Sequence, residues 1–128
     1  MKALDLLSRF FLRFRYPISM PEDVATALGV PISNYITFKE FISCLASPSC
    51  KPTKLVKFMP REKAEEAFGK ASLKEKFQNN TLISYCFSEG WVEFILHFDD
   101  NAKLRRIYLQ HKWIEQDRGL EIELSKGA

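Results

Sequence analysis

The sequence lacks most of the devices by which a short chain advertises an activity. No apolar run approaches the roughly 20 residues that a membrane-spanning helix needs. There are three cysteines, Cys44, Cys50 and Cys86, an odd number without the paired spacing that holds zinc. A small secreted scaffold would carry an even and denser set, so these read as reduced thiols of a cytoplasmic protein. The two histidines, His97 and His111, fall in no Cys/His cluster, and no metal or cofactor is expected. Nothing has the spacing of a phosphate-binding loop or an activated nucleophile, so no catalytic residue is assigned.

A large excess of one charge is also missing, since the formal net charge is +3. Residues 1–16 sum to +3 and residues 51–76 to +4, whereas 17–50 and 77–128 each sum to −2. A nucleic-acid binder usually gathers its basic residues on one face, and two separated basic stretches argue against that partner. Residues 4–14 are rich in Leu and Phe but are interrupted by Arg9 and Arg13. Arg15, Tyr16 and Pro17 follow where a cleavage site would need small side chains, so no secretory signal is expected.

What the chain does have is core-forming material. It has 128 residues, 46% of them apolar and eleven of them Phe, in the usual size range for one domain. At that length folding buries about two-thirds of the unfolded surface. The expected architecture is a single α+β domain over residues 1–128. About four helices in residues 1–78 pack on a three- to four-stranded antiparallel β-meander in residues 79–128.

Helical periodicity and capping chemistry place the helices. In residues 2–15, Leu4, Leu7, Phe11 and Phe14 form one stripe and Lys2, Asp5, Arg9 and Arg13 the opposite ridge. Ser19 and Glu22 match a capping box with Pro21 in the first turn, and Gly29 offers a stop. Thr37 and Glu40 repeat the box ahead of Phe38, Phe41, Ile42 and Leu45. A further helix runs from about Pro60 to Gly69 with Ala64, Ala67 and Phe68 inward. Ser72 and Glu75 suggest a last short turn that ends near Phe77.

The period then changes to two. Strands are expected over residues 81–87, 91–98 and 104–111, with 120–124 as an edge strand blunted by its glutamates. Two-residue turns at Glu89–Gly90 and Asp100–Asn101 pair Phe87 with Val92, Ile83 with Leu96, Phe94 with Ile107 and His97 with Leu104. One face then collects Ile83, Tyr85, Phe87, Val92, Phe94, Leu96, Phe98, Ile107 and Leu109 for the helices to cover.

The other face is less polar than a solvated face should be. It carries Leu82, Cys86, Trp91, Ile95, Leu104 and Tyr108 among Ser84, Glu93, His97 and Arg106. Exposed apolar patches of this kind mark interfaces, and Trp and Tyr are frequent anchors. The expected partner-binding residues are therefore Trp91, Ile95, Leu104 and Tyr108, for a partner protein or for a second copy of the chain. The alternative is that another part of the chain folds over them.

Other features have ordinary explanations. His97 and His111 lack a hydrogen-bonding partner motif and read as exposed or half-exposed strand residues. Asp99, Asp100 and Asn101 lack the spacing of a calcium loop and sit where a turn is needed. Cys86 reads as a small buried hydrophobe. The basic amphipathic segment 2–15 suits docking on the core, but also contact with an anionic membrane surface or a partner groove.

Two family resemblances bear on function. Ala25, Gly29 and Val30 within residues 23–45 resemble the first helix and turn of helix-turn-helix proteins, which implies a DNA-binding regulator. The long connection to Thr37 and the acidic character of the segment depart from that pattern. In residues 59–109, Met59 and Pro60, then Phe68 and Gly69, then strands carrying Phe98, Asp99, Asp100, Asn101 and Leu104, Arg105, Arg106, Ile107 resemble the SmpA/BamE lipoprotein pattern. That resemblance implies a helix pair ahead of a three-stranded meander in a non-catalytic scaffold that binds partner proteins. The family's signal peptide and lipidated cysteine are not matched.

The leading expectation is a non-enzymatic, cytoplasmic interaction or assembly module. A small ligand-binding or enzymatic pocket near His97, Glu93 and Arg106 is the remaining alternative.

Overall fold

The computed structural model describes residues 18–30, 36–47 and 51–125. The helix expected over residues 2–15, with its membrane and partner-groove readings, and Cys50 lie outside the described residues. The elements are α1 (Pro21–Leu28), α2 (Phe38–Ala46), α3 (Arg61–Glu66), β1 (Leu73–Phe77), β2 (Asn80–Phe87), β3 (Gly90–Phe98), β4 (Leu104–Gln110) and β5 (Leu120–Ile122). All strand pairs are antiparallel and the order is β1-β2-β3-β4-β5, a meander without crossovers.

This corrects the expected architecture. Among the described residues there are three helices, only α1 and α2 longer than six residues, and the sheet has five strands. It is a sheet-dominated α+β fold, not four helices on a three- or four-stranded meander.

The extra strand is β1, which the sequence places in a helical turn. Lys74, Glu75 and Lys76 are good helix formers, but β2 offers an unpaired edge, and strand pairing overrides so weak a local preference. A tight reversal joins the strands, with Phe77 paired to Asn80 and Gln78 at φ 49°. Ser72 therefore caps no helix. Its hydroxyl accepts from the Cys86 amide at 3.3 Å and its amide donates to the Ser84 carbonyl at 2.9 Å.

Local chemistry sets the helix ends. Thr37 and Glu40 form the expected capping box, with the Glu40 amide donating to Thr37 Oγ1 and the Thr37 amide to Glu40 Oε1, both at 3.1 Å. Ser19 does not cap α1. Met20 holds that position, Pro21 opens the first turn, and the Ser19 amide pairs with the Cys86 carbonyl at 2.7 Å. Gly29, at φ 77°, ends α1 in the left-handed conformation a glycine adopts cheaply.

One core joins the two layers. Val24, Leu28, Phe38, Phe41, Leu45, Ala64 and Phe68 of the helical side pack on Ile83, Tyr85, Phe87, Val92, Phe94, Leu96, Ile107 and Leu109. The sheet residues form the inward face that strict alternation predicts. Phe68 meets Phe94 at 5.0 Å between ring centroids, and Phe38 meets Phe87 edge-on at 5.2 Å. Burying each such side chain contributes about 1.5–3 kcal/mol.

A polar clamp fastens α3 to the first hairpin. Arg61 Nη1 donates to the Gln78 carbonyl at 2.6 Å and Nη2 to the Asn80 carbonyl at 2.9 Å. The Thr81 hydroxyl accepts from Arg61 Nη2 at 3.0 Å and donates to Glu65 Oε2 at 2.7 Å. Lys76 Nζ lies 3.4 Å from Glu65 Oε1. Burial pushes the Glu65 carboxyl upward, but the Thr81 hydrogen bond, the Lys76 charge and the hydrogen bonds from Lys76 and Arg61 outweigh it and hold it below its ordinary value of 4.5.

Replacing Arg61 would strip two strand carbonyls of a donor and leave a nearly buried carboxylate short of a cation. Arg61→Leu is expected to lower the unfolding free energy by about 2–4 kcal/mol in urea denaturation at pH 7. Because the folded value of Glu65 lies below the unfolded one, its contribution is present above about pH 4.5 and fades as the pH falls through the lower value. Glu65→Gln should be less stable than the wild type at pH 7 and should lose less stability below pH 4.5.

Candidate functional site

The described helices pack on one face of the sheet, and the other face presents a different set of side chains. Its side chains fall into rows set by the strand register. Glu75, Leu82, Ile95, Tyr108 and Glu121 are successive cross-strand neighbours, and Phe77, Asn80, His97 and Arg106 form the next row. Leu82, Ile95 and Tyr108 are half-buried, and Phe77 is 52% exposed. Among the described residues, none of these apolar groups belongs to the core or packs against it.

Three of the four expected partner-binding residues reach this face. Ile95 and Tyr108 are directly paired, and Trp91 lies opposite Cys86 nearer the β2–β3 turn. Leu104 does not join them. It is fully buried in the core. The register shifts between His97 and Phe98, so that His97 faces Arg106 and Phe98 faces Leu104. A β-bulge of this kind sends the next side chain to the opposite face. Asp99 shapes the irregular turn: its Oδ1 accepts from the amides of Asn101 at 2.9 Å and Lys103 at 3.0 Å. The acidic triplet is thus turn chemistry, as its position suggests.

The face is concave around Tyr108. A depression of about 480 Å³ is lined by Ile95, His97, Arg105, Arg106, Tyr108, Gln110 and Arg118. Among the described residues, three guanidinium groups and no carboxylate line it. Arg106 Nη1 donates to the Tyr108 hydroxyl at 3.4 Å, and the Tyr108 ring meets His97 edge-on at 5.3 Å. Burial, and then the Arg106 charge, hold the His97 imidazole below its ordinary value of 6.5, so it is neutral at pH 7. Arg105 is engaged elsewhere, 4.0 Å from Asp99 Oδ2 and over the Phe58 ring at 4.8 Å. Neutral hydroxyl, carboxamide and imidazole groups beside exposed guanidiniums suit the binding of an oxyanion.

Arg118 comes from the segment between β4 and β5, and no sequence pattern places it there. The segment turns back on β4, with Gln110 Nε2 donating to the Asp117 carbonyl at 3.4 Å. Gly119 makes the close return possible, being at φ +88° with room for no Cβ: one would lie 2.6 Å from the Leu109 carbonyl oxygen.

His111 departs from the expectation of an exposed strand histidine. It follows β4 and is 7% exposed, between Phe38 and Trp113 at 4.9 Å from each ring. Its Nδ1 lies 3.0 Å from the Trp91 carbonyl, which makes that nitrogen the donor in the neutral ring. Its Nε2 has no hydrogen-bond partner among the described residues. The α2 residue Phe38 closes over it, a tertiary contact that strand periodicity cannot foretell.

A second cleft, of about 680 Å³, lies on the helical side between α1 and residues 69–72, with Ile18, Met20, Val24, Ala27 and Tyr85 among its walls. Burial raises the Tyr85 hydroxyl above the ordinary phenol value, and that hydroxyl donates to the Gly69 carbonyl at 3.0 Å. Among the described residues no group of three or more His, Cys, Asp and Glu could hold a metal ion. In the segment that resembles helix-turn-helix proteins, α2 turns Phe38, Phe41 and Leu45 into the core and exposes Lys39, Glu40 and Ser43.

The bulge makes a sharp contrast between two residues that simple alternation puts on one face. Leu104→Ala, which opens a cavity in the core, is expected to cost about 2–5 kcal/mol. Ile95→Ala, half-buried on the second face, should cost no more than about 1 kcal/mol. Parallel urea titrations of the two variants check this, and equal costs would mean that the faces are wrongly divided.

Comparison with known protein families, with curated proteins and with solved structures finds no match to this chain.

Proposed function

We propose that this protein is a non-enzymatic interaction module that docks a partner protein on the second face of its sheet. The observation that carries the reading is the apolar row Leu82, Ile95 and Tyr108, with Phe77 beside it, outside the core and bordered by arginines. Apolar surface of this kind, rimmed by polar groups, is the usual mark of an interface. Tyr108 anchors the site with Ile95 beside it, and Trp91 borders it. Leu104, placed in the core, supports the face from behind.

The resemblance of residues 59–109 to the SmpA/BamE pattern points the same way, since it implies a partner-binding scaffold. The reading places the module in the cytoplasm, on the odd and sparse set of three cysteines in the sequence. No helix among the described residues is long and apolar enough to cross a membrane.

A photo-crosslinking amino acid in place of Tyr108, in the full chain expressed in the cells that make it, tests the proposal. An adduct of defined mass is expected from that position and not from Lys39 on the helical side. The adduct should be lost when Ile95→Lys is added. A second copy of the chain as the trapped species would make the partner homotypic. Equal labelling from both positions, or none from Tyr108, would contradict the reading.

A further inference from the structure

We infer that the element docked on this face is an acidic peptide segment, with carboxylates on Arg106 and Arg118 and an apolar side chain over Ile95 and Tyr108. The inference rests on the docking reading and adds the chemistry of the partner. Among the described residues the lining of the depression holds cations and no carboxylate.

The arginines differ in how far they are already used. Arg105 has Asp99 and the Phe58 ring. Arg106 and Arg118 are exposed; the Glu121 charge acts on Arg106, but among the described residues neither arginine lies within ion-pair distance of a carboxylate. Arg106 is steadied by its contact with the Tyr108 hydroxyl, and Arg118 by the return of its segment to β4. Two guanidiniums held beside one depression lose less side-chain freedom on binding than mobile ones, and each can take a carboxylate through two parallel hydrogen bonds.

Size and surroundings narrow the class. A volume of about 480 Å³ accommodates a few side chains, not a folded domain. Its apolar floor, Ile95 and the Tyr108 ring, rewards an apolar side chain between the carboxylates. Glu75 and Glu121 share this sheet face outside the depression. They would repel the continuous phosphate backbone of a nucleic acid, whereas a short acidic segment need only meet the two arginines.

Fluorescence anisotropy of the full chain tests this with a labelled short peptide carrying Glu on either side of a Leu-Phe pair. The counterpart with Gln for Glu is the control. The acidic peptide is expected to bind and to weaken as salt rises, and the Gln peptide to bind at least about tenfold more weakly. Arg106→Glu with Arg118→Glu should abolish binding while far-UV circular dichroism is unchanged. Arg118→Gln alone should weaken it several-fold. Lys39→Glu with Lys63→Glu, an equal charge change on the helical side, should leave it intact. Equal binding of the two peptides, equal loss in both double variants, or no binding of the acidic peptide would overturn the inference. If the peptide fails while Tyr108 still traps a protein, the acidic assignment falls and the docking reading stands.

Discussion

A meandering sheet has two faces, and among the described residues the three helices pack on one of them, while of the other face Ser84 and Cys86 are buried and Leu82, Ile95 and Tyr108 half-buried. Most of the structure follows from that inequality. The covered face is a continuous aromatic and aliphatic layer in which Phe68 meets Phe94 and Phe38 meets Phe87. The clamp of Arg61, Thr81 and Glu65 fixes how the helical layer sits, because it ties α3 to the backbone of the β1–β2 hairpin. With that layer committed to one side, the side chains of the opposite face must be acceptable to water or wait for another surface. Leu82, Ile95 and Tyr108 do not suit water, and the polar groups around them are cationic toward the depression and anionic beyond it.

The inward face was legible in the sequence because its error was forgiving. Turns placed at Glu89–Gly90 and Asp100–Asn101 pair Ile83 with Leu96, whereas the structure pairs Ile83 with Phe94 and Leu96 with Ile107. The slip is of two residues, and a slip by an even number leaves each side chain on its own face. Leu104 was not protected in this way. The bulge after His97 changes the count by one, and Leu104 passes from the open face to the core. Nothing in the local sequence announces the bulge, beside which Asp99 accepts from the amides of Asn101 and Lys103.

Two other features were illegible for related reasons. Residues 73–77 carry helix-forming lysines and a glutamate, and only the waiting edge of β2 makes them a strand. Arg118 becomes part of a site through the path of a turn segment, fixed by Gly119 against Leu109 and Gln110. Of the expected site, Ile95, Tyr108 and Trp91 lie on one face as alternation requires. Arg106 lies there too, as alternation requires, whereas Arg118 becomes its neighbour only in three dimensions.

The central claim is that the face of Ile95 and Tyr108 is open while that of Leu96 and Leu104 is closed. NMR of the full chain with a soluble paramagnetic gadolinium complex tests it most directly, through the attenuation of assigned side-chain signals. The account predicts strong attenuation at the Ile95 methyls and the Tyr108 ring, and little at the Leu96 and Leu104 methyls. If Ile95 and Tyr108 are as protected as Leu96, another part of the chain covers the face and it is not a docking surface.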